Sequence, residues 1–139
     1  MILLDSSALF AALDESAQAY VQTRQLLERE PGPLLLSPFV LAEVDYFLLR
    51  ELDVQHELSF LREVSTGAYE LVSFEASDVE AASTVIARYA DLAIGLTDAS
   101  IVVLADRYET DRVLTLDERH FRALRTLDGR PFTLLPADA

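Results

Sequence analysis

Along the chain, short apolar runs alternate with longer segments whose apolar residues recur at helical spacing. Residues 2–5 form a brief apolar run that closes on Asp5. Residues 6–13 and 16–30 read as helices, and Pro31-Gly32-Pro33 interrupts the pattern as a turn. A short strand is expected at 34–36. Residues 38–51 read as a helix with Pro38 in its first turn, where the missing N–H costs nothing. Residues 54–64 form another helix, with Val54, Leu58 and Leu61 on one face. A strand follows at 69–74, then a helix at 77–89 with Val79, Ala82, Ile86 and Tyr89 aligned. Residues 97–108 read as a helix capped by Thr97. Strands at 112–116 and 132–135 close the pattern. Strands alternating with helices predict an α/β fold, a mainly parallel sheet flanked by helices. In such sheets, sites form at the carboxyl ends of the strands.

Composition narrows the setting. A chain of 139 residues, 51% hydrophobic, fits one domain over 1–139. With no cysteine, the sequence excludes a disulfide framework, a thiolate metal site and cysteine nucleophile chemistry. The first residues lack a basic segment, and Asp5 interrupts the apolar run, so no signal peptide is expected. No apolar run approaches the length of a membrane span. These features suit a cytoplasmic protein with no membrane contact. A net charge of −13 argues against a protein that coats nucleic acid by charge alone. It is compatible with a nuclease, because bound divalent ions reverse the local sign of an acidic site. All 11 basic residues are Arg.

Four acids stand out by position. Asp5 ends the first apolar run before a helix, at the carboxyl edge of the sheet; it would equally serve as the N-cap of 6–13. Glu43 lies three residues after Val40 and four before Phe47, on the apolar face of helix 38–51. A carboxylate rarely enters a core without a cation, a donor or water beside it. Asp98 shares a face with Ile101, Val102 and Ala105, although the positive first turn of a helix also suits an acid. Asp117 is a second acid at a strand's carboxyl end, with a cap as its plainer role. Strand ends can bring Asp5 and Asp117 together, and Glu43 and Asp98 can point in from flanking helices. Converging carboxylates repel unless cations share the site, and hard oxygen ligands favour Mg²⁺, with Mn²⁺ as a substitute. The chemistry such a site supports is phosphodiester hydrolysis by a metal-activated water.

The same segments carry a family resemblance. Ile2-Leu3-Leu4-Asp5-Ser6-Ser7-Ala8-Leu9, Leu41-Ala42-Glu43-Val44, Gly95-Leu96-Thr97-Asp98-Ala99-Ser100-Ile101 and Val113-Leu114-Thr115-Leu116-Asp117-Glu118-Arg119-His120-Phe121 occur in order over almost the whole chain. They resemble the motifs of PIN-domain ribonucleases, and within them the VapC toxins of bacterial toxin–antitoxin pairs. The resemblance implies an α/β/α sandwich and a divalent metal at Asp5, Glu43, Asp98 and Asp117, with Asp5 and Asp98 the firmest ligands. It places Ser7 as a hydroxyl beside the first acid, where local capping is the competing role. It further implies RNA cleavage, a homodimer, and inhibition by a VapB-like antitoxin.

Arg119, Arg122, Arg125 and Arg130 cluster after the last acid. They could hold phosphates, although a solvated face with surface ion pairs is the favoured reading. His120 is expected to be structural rather than a general base, His56 is given no function, and Asp45 is expected at the surface or in a salt bridge. A receiver domain or a dehalogenase-type phosphatase would require a Lys, which the chain lacks. The remaining competitors are a non-catalytic PIN-like module that binds RNA or protein, and a nuclease acting on DNA, which the metal chemistry leaves open.

Overall fold

A computed structural model describes all residues, 1–139. Its elements are β1 (Ile2–Leu4), α1 (Ser6–Leu13), α2 (Tyr20–Arg29), β2 (Leu34–Leu36), α3 (Pro38–Glu51), α4 (Val54–Ser65), β3 (Glu70–Leu71), α5 (Ala76–Arg88), α6 (Leu96–Tyr108), β4 (Arg112–Leu114), α7 (Glu118–Ala123) and β5 (Thr133–Leu135), with a 3₁₀ turn at Ala90–Leu92. The five strands form one sheet in the order β3-β2-β1-β4-β5, and every pairing is parallel. Helices cover both faces, so the inner strands are apolar without alternation: Ile2, Leu3, Leu4, Leu35, Leu36, Val113, Leu114 and Leu134 are all buried. This is the expected α/β/α sandwich, and β1 lies at its centre with Leu3 in register with Leu35 on one side and Val113 on the other.

Local chemistry sets the boundaries. Pro38 opens α3, and the Ser37 hydroxyl accepts from the Phe39 amide at 3.2 Å. Buried Ser37 and Ser100 share a hydrogen bond of 2.8 Å, tying the start of α3 to α6. The helix expected at 16–30 begins only at Tyr20, because the Asp14 carboxylate takes both the amide and the hydroxyl of Ser16 and turns the chain. Strand 69–74 contracts to an edge strand of two residues. Strand 112–116 ends at Leu114, and beyond it the Thr115 hydroxyl accepts from the Asp117 amide at 2.9 Å. Val54, Leu58 and Leu61 do align on α4, but toward solvent; Phe60 is the residue that packs into the core. Likewise Val79 is exposed on α5, where Ala82 and Val85 are buried. No helix is long and apolar enough to cross a membrane.

Candidate active site

The chain leaves β1 at the carboxyl edge of the sheet. There the Asp5 amide still donates to the Leu114 carbonyl at 2.9 Å, which fixes Asp5 between the two central strands. Its side chain makes no capping bond to α1, so the N-cap alternative is not realised. Instead its Oδ2 accepts from the Thr115 hydroxyl at 2.7 Å and the Ser7 hydroxyl at 2.9 Å. Both side-chain donors meet one oxygen, leaving Oδ1 free of side-chain donors. Asp5 is only 5% exposed. Burial pushes its carboxyl above the usual range; the two hydroxyls and the Ser6 amide pull it back, and the Asp117 carboxylate adds a further upward push.

Glu43 comes from the inward face of α3, as its spacing predicts, and is half-buried. Its Oε2 accepts from the Thr97 hydroxyl at 3.3 Å. Thr97 is therefore not the cap of α6: Gly95 holds that position, and the helix starts at Leu96. Asp98 lies one residue further on, 16% exposed. Burial, and then the Asp5 carboxylate, push its carboxyl up to about 6, against a hydrogen bond from His120 and with a smaller upward contribution from Asp117. Asp117 holds two positions at once. Its Oδ1 caps α7 by accepting from the His120 amide at 3.2 Å, and its Oδ2 lies 3.3 Å from His120 Nδ1.

One cleft of about 320 Å³ takes in all four acids, together with Ser7, Phe47, Thr97 and His120. The convergence expected from the strand ends and helix faces is thus present. His120, expected to be structural, has its Nδ1 between Asp98 Oδ2 at 3.0 Å and Asp117 Oδ2 at 3.3 Å, so it links two of the four acids. Thr115 escapes the sequence reading, although a hydroxyl two residues before Asp117 in an apolar strand is a visible signal. Phe47, read as core, packs edge-on against Phe10 at 5.8 Å and lines the cleft.

The oxygen-rich donor set fits a hard divalent cation. Burial first, with neighbouring carboxylates adding to it, raises the carboxyls of Asp5 and Asp98, and a cation in the cleft would offset both effects. No three carboxylate or imidazole groups are already closed around one point, so ligation would draw the side chains inward.

The arginine cluster divides. Arg122 pairs with Asp138 at 2.6 Å and Glu118 at 3.1 Å, Arg130 with Asp128 at 3.0 Å and Asp111 at 3.3 Å, and Arg125 folds onto backbone carbonyls. The surface ion-pair reading holds for Arg122 and Arg130. Arg119 is exposed and has no partner. Asp45 is neither fully exposed nor salt-bridged: one buried carboxylate oxygen lacks a donor, and the carboxyl of nearby Glu57 is raised by it. His56 is held by Asp53 at 2.7 Å, away from the cleft.

Fold and cleft together define a class. The PIN domain family model matches residues 2–127, and the chain belongs to the PIN-domain family. Its VapC branch supplies the relatives. The chain is 41% identical over 135 residues to Ribonuclease VapC26 of Mycobacterium tuberculosis, covering 97% of this chain and all of that protein. Among solved structures, VapC20 of Mycobacterium tuberculosis, described as a sarcin-ricin loop cleaving toxin, superposes with a TM-score of 0.82 at 17% identity, covering 94% of this chain and all of that one. VapBC2 from Rickettsia felis, bound to a DNA fragment from its promoter, gives 0.68 at 19% identity over 96% and 98% of the two chains. A toxin–antitoxin complex from Klebsiella pneumoniae gives 0.70 at 17% over 89% and 92%. At these identities the solved structures speak to the fold.

Proposed function

We propose that the chain is a metal-dependent endoribonuclease and the toxin of a type II toxin–antitoxin pair. The observation that carries this reading is the meeting of Asp5, Glu43, Asp98 and Asp117, from four separate parts of the sequence, in one cleft. The 41% identity to a protein named a ribonuclease supports RNA as the substrate. Asp5, Glu43, Asp98 and Asp117 would hold Mg²⁺ or Mn²⁺, which when bound activates a water and offsets charge on the scissile phosphate.

The chain's own contribution is placement. Thr115 and Ser7 restrain Asp5 through one oxygen, so the other is presented to the cleft. Thr97 holds Glu43 across the gap between α3 and α6. His120 Nδ1 lies between Asp98 and Asp117, a shared partner that lets two carboxylates that would otherwise repel sit side by side. The antitoxin reading draws on the toxin–antitoxin complexes among the structural relatives. An acidic cleft is also a natural receptor for an inhibitor's Arg, whose planar fork matches a carboxylate. A homodimer belongs to the same reading.

The test is cleavage of total RNA by the purified chain in Mg²⁺, in Mn²⁺ and in EDTA, beside Asp98→Asn. Cleavage that needs both metal and Asp98 is the expected result. Binding of RNA without cleavage in any metal, combined with no toxicity on expression, would instead establish the non-catalytic module.

A further inference from the structure

Helix α3 does more than deliver Glu43. Tyr46, Phe47 and Arg50 follow it at three, four and seven residues, the spacing of a single helix face. The stripe starts in the cleft, since Phe47 lines it one turn after Glu43. At 1.5 Å per residue, Phe47 lies about 6 Å and Arg50 about 10 Å along the helix axis from Glu43. The Tyr46 and Phe47 ring centroids are 6.1 Å apart. The Arg50 guanidinium carbon sits 5.1 Å from the Tyr46 centroid and 5.5 Å from that of Phe47. Arg50 Nε is held by Glu51 at 2.6 Å, which restrains the cation above the rings. Phe10 supports Phe47 from the core side. Tyr46, by contrast, is 56% exposed, and nothing in the core needs it.

Two aromatic rings and a guanidinium, continuous with a cleft built for a phosphodiester, have the chemistry that receives unpaired bases. Single-stranded RNA is held by stacking bases on aromatic side chains and on Arg planes. The guanidinium is paired with Glu51, so it contributes a planar surface rather than a free charge for the backbone. We propose that Tyr46, its ring tilted 54° from that of Phe47 and backed by the Arg50 guanidinium, is the exposed substrate-positioning platform that stacks the unpaired nucleobase adjoining the scissile phosphate. The inference rests on the ribonuclease reading and gives it a substrate class: RNA whose bases beside the cut are unstacked, as in loops. Stacking tolerates any base, so the platform selects strandedness over sequence.

The experiment uses an unstructured RNA oligonucleotide carrying 2-aminopurine, bound to full-length Asp98→Asn protein, either with Tyr46 intact or with Tyr46→Ala, Tyr46→Phe or Tyr46→Trp added. Tyr46→Ala should weaken binding about tenfold, within the range of one base–aromatic stack, and lower kcat/KM similarly in the Asp98-containing enzyme with Mg²⁺. Tyr46→Phe and Tyr46→Trp should bind within about twofold of the protein that keeps Tyr46. The 2-aminopurine should be quenched on binding and lose that quenching in Tyr46→Ala. A duplex of the same sequence should bind equally well with Tyr46 intact and with Tyr46→Ala. Unchanged affinity and quenching in Tyr46→Ala, while the parent enzyme still cleaves, would overturn the platform and leave the nuclease standing. Intact RNA binding with self-association lost in Tyr46→Ala, read by sedimentation velocity, would make the stripe a protein interface, which also overturns it. If the parent enzyme neither binds nor cleaves RNA in Mg²⁺, the ribonuclease reading fails first and the platform falls with it.

Discussion

Asp98→Asn is expected to make the metal-free protein more stable at pH 7. The Asp98 carboxyl is pushed from 3.8 to about 6, by burial first and then by Asp5. A shift of roughly two pKa units corresponds to about 3 kcal/mol of destabilisation when the folded protein carries that charge. With the side chain only 16% exposed, solvent removes little of it. Asparagine takes away the charge, and the 3.0 Å bond from His120 is already counted in that shift. The net gain is about 3 kcal/mol. At roughly 2.1 cal/mol/K of unfolding entropy per residue, this raises Tm by about 10 °C. The pH profile carries the sign. Between pH 3.8 and about 6 the folded state binds more protons than the unfolded, so parental stability falls as pH rises through that window, and the penalty is complete above it. The advantage of Asp98→Asn should therefore vanish below about pH 4, grow toward about pH 6 and then level. Thermal unfolding of both proteins in chelator, at about pH 4, 5, 6 and 7, measures it. A variant that melts below its parent at neutral pH, or a difference that does not change with pH, would refute the reasoning.

Thr115→Val should cost about 1.5–3 kcal/mol, because a buried carboxylate loses a charge-assisted bond; Thr115→Ser should recover most of it, read by denaturant unfolding. Ser100→Ala leaves the buried Ser37 hydroxyl without its partner across α3 and α6, and should lower stability by about 1–3 kcal/mol and reduce cleavage by loosening the helices that carry Glu43 and Asp98. Arg119→Ala should weaken RNA binding and lower the salt dependence of its affinity by about one unit of slope. Arg122→Ala, whose parent guanidinium is committed to Asp138 and Glu118, should leave that slope unchanged; equal slopes for both variants would show that Arg119 holds no phosphate.

The sheet, its parallel sense and the four converging acids are legible in the sequence because each follows from a period or a strand end. Glu43 on an apolar face is the clearest signal, since solvation makes that placement expensive without a partner. What escapes depends on pairings that no local pattern records. Thr97 has the sequence context of a cap, and only the approach of Glu43 from α3 gives its hydroxyl another use. His120 follows a turn as many structural histidines do, and its role emerges once Asp98, 22 residues earlier, is brought beside it. The helical stripes on α4 and α5 have the right period but partly the wrong side. Val54, Leu58 and Val79 stay in solvent because periodicity gives a face and not the direction of the core.

The join between β1 and β4 has a consequence for how the protein is made. Asp5 leaves the ribosome more than a hundred residues ahead of its hydroxyl partner Thr115 and the neighbouring acid Asp117. Until β4 inserts beside β1, the buried carboxylate lacks its donor and the cleft lacks a wall. Contacts this distant in sequence form only after the intervening chain is in place. A ribosome that stalls before residue 112, where β4 begins, therefore releases a fragment without a complete catalytic cleft. The order of synthesis therefore keeps the cleft incomplete until β4 has been made and has paired with β1.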